Sequence, residues 1–486
     1  MFIFLPITLG LYFILPNKWL KAKNLVLLFT SLFFYAWGEP IYVLLMMFSI
    51  MLNWGSGMLF ANVKSKKWRL VYLLVCVGIN LGMLGVFKYA GLFVDTINGM
   101  AGEKLITMAT IALPIGISFY TFQAMSYSID VYRGDVEVQR SPFDLGAYVT
   151  MFPQLIAGPI VRYSDVAEMI KKREHTWDKF GSGARRFIMG LAKKVICANL
   201  IGSVATAICG NTAVGGFPLT SYVNIPAVGE LSVLTAWVGI LAFTFQIYFD
   251  FSGYSDMAIG MGRMMGFEFL ENFDYPYVSK SVTEFWRRWH MSLGTWFRDY
   301  VYFPMGGSRV KGKGRLVFNL LVVWALTGFW HGANWNFLAW GMFFGIIISL
   351  EKLFILNWFK KLKGWFGGAI QWLYAFVLVV IGWVLFNFLD FSEGWNYFKV
   401  MFGFGGAKFF DSGFLFYFQN YGITMAIVAL AAFPWWRKFV SKPKTQAFLG
   451  KPVGVALSTI MYAGLLFICI TSLVSSTFNP FIYFQF

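Results

Sequence analysis

The sequence predicts an all-α, polytopic membrane protein, and three observations predict it. The first is composition: 58% of the 486 residues are hydrophobic and only 13% are charged. A soluble domain carries about 25% charged residues, so this chain has too few to coat a water-facing surface. The second is the recurrence of apolar runs close to the roughly 20 residues that a helix needs to cross about 30 Å of hydrocarbon. The third is the placing of the basic residues. They give a net charge of +17, yet they fall between the apolar runs, where cations set orientation and meet anionic headgroups. That distribution argues against nucleic acid as a partner and for the lipid bilayer.

Taken in order, the chain opens with an apolar run, Met1 to Pro16, with no charge before it and no small-residue cleavage site; Lys18, Lys21 and Lys23 follow it. It reads as a first membrane helix with its N-terminus outside, not as a cleavable signal. Further spans are expected at Asn24 to Trp37, Ile41 to Phe60, Leu70 to Phe87, Leu105 to Ile129, Phe187 to Cys209 and Leu231 to Phe249. The rest are Leu316 to His331, Trp335 to Leu350, Ala369 to Leu389, Phe414 to Phe433 and Val453 to Val474. The total is about 11–12 spans. Phe143 to Val161 is apolar but carries Pro153 and Pro159, so it is expected to be re-entrant or interfacial. Such backbone must be buried in protein or line a cavity.

The loops alternate. Lys18 to Lys23, then Lys64 to Arg69, Arg162 to Arg186, Glu271 to Arg315, Lys352 to Lys363 and Arg437 to Lys451 are the basic ones and are placed in the cytoplasm. Glu271 to Arg315 holds eight basic and four acidic residues. Gly210 to Glu230 has no Lys or Arg and is placed outside, as is the tail after Val474. The protein is thus expected in an inner or plasma membrane with both termini outside. It is expected to be one membrane domain, 1–486, without internal repeats. Within it, 271–315 is a cytoplasmic or re-entrant segment and 316–350 a helical pair.

Only three histidines occur. His175 lies in a charged cytoplasmic stretch and reads as a solvated loop residue. His331, within Gly328 to Trp335, ends one apolar run and precedes another. A polar ring at membrane depth costs several kcal/mol unless partnered, so it either performs chemistry or hydrogen-bonds two helices together. His290 lies in a tryptophan- and arginine-rich stretch, Glu284 to Leu293, that by itself reads as an interfacial helix. No cysteine stands near either histidine, which argues against a metal site; Cys76, Cys197, Cys209 and Cys469 read as small buried hydrophobes. The cluster Asp250 to Asp256, directly after an expected span, is either a cap and turn or the lining of a polar pocket. No P-loop, dinucleotide fingerprint or Gly-x-Ser-x-Gly elbow is present.

Three stretches together carry a resemblance: Phe285 to Leu293, Trp296 to Gly307, and Phe329 to Trp335. They resemble the core of the membrane-bound O-acyltransferase (MBOAT) family, and most of all its bacterial branch containing the membrane subunit of alginate O-acetylation. Pro153 to Ile160, Phe249 to Asp256 and the ending Asn479 to Phe486 fit the same branch. The resemblance implies a ring of tilted helices around a thinned centre crossed by a tunnel. It implies His331 and His290 as the catalytic pair; the second position is Asn in many eukaryotic members and His in this branch. Arg287, Arg288, Arg298, Asp299, Asn334, Tyr254, Asp256 and Gln154 are the further candidates for holding donor or substrate.

The implied reaction moves an acyl group, an acetyl above all, from a cytoplasmic thioester to a hydroxyl of a cell-surface polysaccharide such as alginate or peptidoglycan. The donor is acetyl-coenzyme A or the phosphopantetheine thioester of an acyl carrier protein, with no bound cofactor. D-alanyl transfer to teichoic acid is the alternative within the family, and a transporter of a small polar solute the alternative outside it; a scaffold of a polysaccharide export complex gives no reason for a buried histidine. A neutral imidazole with a pKa near 6.5 can take the hydroxyl proton as attack begins, which is the role expected of His331, with His290 orienting or stabilising at the donor mouth. Relatives of this type hand the acyl group to an extracytoplasmic Ser-His-Asp-type (SGNH-like) acyltransferase, which is the partner expected here.

Overall fold

The computed structural model describes residues 3–109, 111–156, 158–210 and 228–475. Most of the loop Gly210 to Glu230 and the ending Asn479 to Phe486 lie outside the described residues. Among the described residues the secondary structure is helical, and the one extended pairing is an isolated antiparallel bridge between Phe273 and Trp289.

Eight of the described helices are long and apolar enough to cross a membrane. They are Tyr42–Asn62, Lys66–Ala101, Trp177–Cys209, Val233–Met264, Trp335–Phe359, Gly364–Asn387, Ser412–Ala431 and Pro452–Ser475. The four other expected spans correspond to helices that are shorter or more polar: Phe4–Ile14, Leu20–Gly38, Ile117–Arg133 and Lys313–His331. The expected helix over Leu105 to Ile129 begins only at Ile117. Pro114 disfavours helix at the residue before it, and Gly116 adopts a left-handed φ of 73° that ends any helix entering from its N-terminal side. A second difference concerns Asp250 to Asp256, which lies inside the 32-residue helix Val233–Met264 and not after its end. The helix continues because each carboxylate is matched. Asp256 pairs with Lys193 at 2.6 Å and Asp250 with Lys194.

The chain divides into two compact units, Met1–Phe187 with Met257–Glu271, and Ile188–Asp256 with Asn272–Phe486. In the first, helices Tyr42–Asn62, Lys66–Leu84 and Ile117–Arg133 are joined by a buried polar cluster. Ser128 donates to Asn53 Oδ1 at 2.8 Å and Ser49 to Asn80 Oδ1 at 3.2 Å, while Asn53 and Asn80 tie back to their own helices. Polar glue of this kind joins helices that gain nothing from hydrophobic contact in lipid. The segment expected to be re-entrant starts as the short helix Pro142–Thr150, with Ser141 accepting from Asp144 N at 3.2 Å, and then runs as buried irregular backbone. Side chains satisfy that backbone: Tyr148 donates to Val161 O at 2.8 Å and Ser31 accepts from Phe152 N at 3.1 Å. His175 is not a solvated loop residue. It is half-buried, with Nε2 2.7 Å from the Tyr12 hydroxyl, and burial, seconded by the charges of Lys23 and Arg173, pushes its pKa down to about 4.

In the second unit, Lys313–His331 and Trp335–Leu350 pack backbone to backbone. A Cβ on Gly341 would lie 3.0 Å from Gly328 Cα, and one on Gly328 would strike the Phe337 carbonyl. Small residues at such a crossing let two membrane helices approach closely. Further along, the Glu351 carboxylate is fully buried and accepts 2.7 Å hydrogen bonds from the N–H groups of Val282 and Thr283. It thereby anchors the start of the short helix Val282–Arg288, where orphan donors and the positive end of the helix dipole favour an anion.

Candidate active site

Both framework histidines belong to the second unit, and each is positioned by a different kind of structure. His331 is the last residue of Lys313–His331 and is 5% exposed. Its ring stands 5.0 Å from that of Trp340 and 5.5 Å from that of Phe386, edge to face in both cases. His290 joins the short helices Val282–Arg288 and Met291–Phe297 in a left-handed conformation, φ 46° and ψ 51°. That is uncommon for a residue with a Cβ and persists only where the surroundings over-determine it. Here the segment from Asn272 to Asp274 runs antiparallel to it. Asp274 N donates to Arg288 O, and Met291 N to Asn272 O, both at 3.0 Å.

The His290 ring is 2% exposed and packs edge-on to Phe251 at 4.6 Å. Its Nδ1 lies 3.2 Å from Asn272 Oδ1, and its Nε2 has no hydrogen-bond partner among the described residues. Burial drives its pKa down to about 3, so the ring is neutral at physiological pH. The His290 and His331 ring centroids are 6.5 Å apart.

A cavity of about 510 Å³ reaches His290. Its walls include Trp286, Trp324, Tyr302 and three cations, Arg287, Arg298 and Lys352. Arg287 and Arg298 are exposed while His290 is buried, so the cavity grades from a cationic, wet end to a dry imidazole. Such a gradient suits a ligand with anionic groups at one end and a neutral reactive group at the other.

The other residues singled out from the sequence are placed elsewhere. Arg288 bonds Glu284 at 3.0 Å and Asp274 at 2.9 Å. Asp299 pairs with its neighbour Arg298 at 2.7 Å. Asn334 caps helix Trp335–Leu350, accepting from Asn336 N at 3.2 Å. Tyr254 and Asp256 lie on Val233–Met264, outside the cavity lining. Gln154 belongs to the first unit, where its side chain donates to Tyr148 O. Lys352 reads from the sequence only as a cytoplasmic loop cation, and nothing in the sequence marks Asn272. Among the described residues no three His, Cys, Asp or Glu side chains gather as metal ligands would.

Comparison with known proteins bears on this geometry. The family model for MBOAT, the membrane-bound O-acyltransferase family, matches residues 19–389, a stretch that contains both histidines and the whole cavity lining. The chain belongs to the membrane-bound O-acyltransferase family. It is 38% identical to a probable alginate O-acetylase of Azotobacter vinelandii, with 100% of this chain and 98% of that protein covered. It is 32% identical to a peptidoglycan O-acetyltransferase of Helicobacter pylori over 84% of this chain and 79% of the relative. A teichoic acid D-alanyltransferase of Bacillus subtilis is 27% identical over 57% and 68% of the two chains. The chain is therefore a multi-pass membrane O-acyltransferase.

Proposed function

We propose that this O-acyltransferase takes an acetyl group from a cytoplasmic thioester, acetyl-coenzyme A or an acyl carrier protein, and delivers it for O-acetylation of an extracytoplasmic polysaccharide of the alginate or peptidoglycan kind. The observation that carries the reading is the cavity running from Arg287, Arg298 and Lys352 to His290, with His331 6.5 Å beyond in ring-to-ring distance. The cations hold the donor's phosphates and the narrow pantetheine arm reaches inward. The acceptor oxygen attacks the thioester carbonyl, the C–O bond forms, and the C–S bond breaks. His331 takes the hydroxyl proton; the thiol, with a pKa near 8.5, leaves with little acid assistance. His290 orients the donor. Similarity along the whole chain to the alginate relative, against partial similarity to the D-alanyl relative, supports an acetyl group.

The test offers each labelled donor in turn to purified protein. Thioester turnover with an acetyl donor supports the reading; turnover only with a D-alanyl carrier protein moves it to teichoic acid, and no turnover with any donor sinks it in favour of solute transport. The orientation follows from the basic loops, with Glu271 to Arg315 cytoplasmic and both termini outside, in a bacterial inner or plasma membrane. A cysteine placed at Ser308 should escape an impermeant reagent in intact cells, and its labelling would reverse the topology.

The acyl group passes next to a separate extracytoplasmic enzyme of the Ser-His-Asp type. Neither external loop, Gly210 to Glu230 or Asp390 to Gly413, contains a histidine to activate a serine there. Reconstitution in vesicles with donor inside and polymer outside checks this: efficient polymer acylation without a second protein rules the relay out.

A further inference from the structure

We infer that Asn272 is a positioning residue that fixes the tautomer of His290, holding a proton on Nδ1 so that the Nε2 lone pair faces the donor cavity as a hydrogen-bond acceptor. The inference rests on the proposed use of that cavity by a pantetheine thioester, but its first test does not.

The argument begins with the Asn272 amide. Its Oδ1 is 3.2 Å from the backbone N–H of Ser292 and 2.9 Å from the Ser292 hydroxyl. A backbone N–H can only donate, so the atom facing it is the amide oxygen and not the nitrogen. The other end agrees: Nδ2 donates to Ser255 Oγ at 3.0 Å. With its orientation fixed from both ends, Asn272 presents only an acceptor to His290 Nδ1, 3.2 Å away. A neutral imidazole carries one proton; the bond to Asn272 requires it on Nδ1, which leaves Nε2 with a lone pair. Nε2 is buried without a partner among the described residues, and His290 lines the cavity.

The backbone supports the same assignment. Asn272 O accepts from Met291 N while its side chain accepts from Ser292 N, so one residue caps helix Met291–Phe297 from outside the helix. That capping holds His290 at its positive φ, in the cavity wall. A lone pair in a dry pocket recruits a donor. The pantetheine arm has amide N–H groups, and accepting one places the thioester relative to His331 without requiring His290 to ionise, which its burial opposes.

The experiment uses the full-length protein in detergent or nanodiscs, with 15N-labelled histidine. The three histidine spin systems are assigned by single His→Gln replacements, and the two ring nitrogens of each are read for which carries the proton. The expected result is a proton on Nδ1 of His290 and none on Nε2. The opposite tautomer in the wild-type protein overturns the inference, whatever the activity. The kinetic arm compares Asn272→Leu with Asn272→Asp in the purified acyl-transfer assay. Asp retains an acceptor for all three donors and can accept from the Ser255 hydroxyl in place of the lost Nδ2 bond, so it should preserve the tautomer and keep clearly more turnover than Leu, despite the charge it buries. Leu should remove the Nδ1 preference and lower kcat/KM for the thioester at least about tenfold, the scale of losing one buried hydrogen bond with its positioning. Equal loss in both variants, or wild-type turnover in Asn272→Leu, would show that Asn272 acts only as a structural cap. If the wild-type protein turns over no thioester but shows the expected tautomer, the functional reading fails and the tautomer assignment stands.

Discussion

The two histidines stand 6.5 Å apart yet rest on opposite kinds of support. His331 is carried by regular structure: a 19-residue helix held at Gly328 against Gly341 of its neighbour, with the ring walled by Trp340 and Phe386. His290 is carried by irregular structure: a left-handed residue between two seven-residue helices, oriented by the amide of Asn272. The first arrangement distributes its hold over many apolar contacts, none decisive. The second concentrates it in a few directional bonds, each of which matters. A site can thus pair one side chain fixed by packing with another fixed by hydrogen bonding, and the two should fail differently.

The largest effect should come from His331→Ala. Loss of a general base removes about 10² to 10⁴ in rate, while alanine leaves the helical backbone unstrained, so turnover should vanish in a protein that still folds and inserts, with a Tm lowered by the cavity the ring leaves. Activity above about a tenth of wild type would break the assignment. His290→Ala should impair turnover severely but less. If the histidines act as one unit, the double variant should be no slower than His331→Ala alone, because effects within such a unit are not additive.

Gly328→Ala comes next and tests the packing side of the comparison. Its Cβ has nowhere to go but the Phe337 carbonyl, so the helix pair must part at a cost of roughly 1–3 kcal/mol, visible as a lowered Tm and a secondary loss of turnover. A wild-type Tm would mean that the crossing is looser than described. The backbone side is tested by ranking glycine against alanine. At 290 a left-handed residue other than glycine costs on the order of 1–2 kcal/mol, so His290→Gly should melt higher than His290→Ala. At 331, the last residue of its helix, the order should reverse by a smaller margin. The smallest effects belong to Arg287→Ala and Arg298→Ala. Both side chains are exposed, and screened surface charges contribute little, so KM for the donor should rise only a few-fold, with kcat unchanged and the difference shrinking in high salt.

The fold class was legible because lipid imposes it: apolar length and the alternation of cations read directly from the chain. What escaped were features set by partners distant in sequence. Asp250 and Asp256 read as a helix end because their neutralising lysines, Lys194 and Lys193, lie more than fifty residues away. The span expected from Leu105 failed at Pro114 and Gly116, where local backbone chemistry overrode hydropathy. His290, Arg287 and Arg298 were found by motif and do share a cavity. Lys352 and Asn272 reach the same place only through tertiary structure, and no spacing marks them. Conversely Arg288 and Asn334 share the chemistry of binding residues but are occupied by ion pairs or a cap, and Asp299 lies outside the cavity lining, paired to the Arg298 that lines it, distinctions composition cannot make.

The positive φ at His290 has one more consequence, for what substitution can achieve there. Apart from glycine, the side chains that accept left-handed backbone most readily are Asn, Asp and His. The backbone therefore filters the repertoire before chemistry selects from it. Glycine brings no functional group and aspartate brings a charge into a buried site, which leaves His and Asn as the occupants that are both conformationally tolerated and neutral. These are the two residues that the resemblance assigned to this position across bacterial and eukaryotic branches. A designer seeking a new reactivity at position 290 inherits the same short menu, and a larger one opens only if the extended pairing of Asn272 to Asp274 with Arg288 to Met291 is redrawn first.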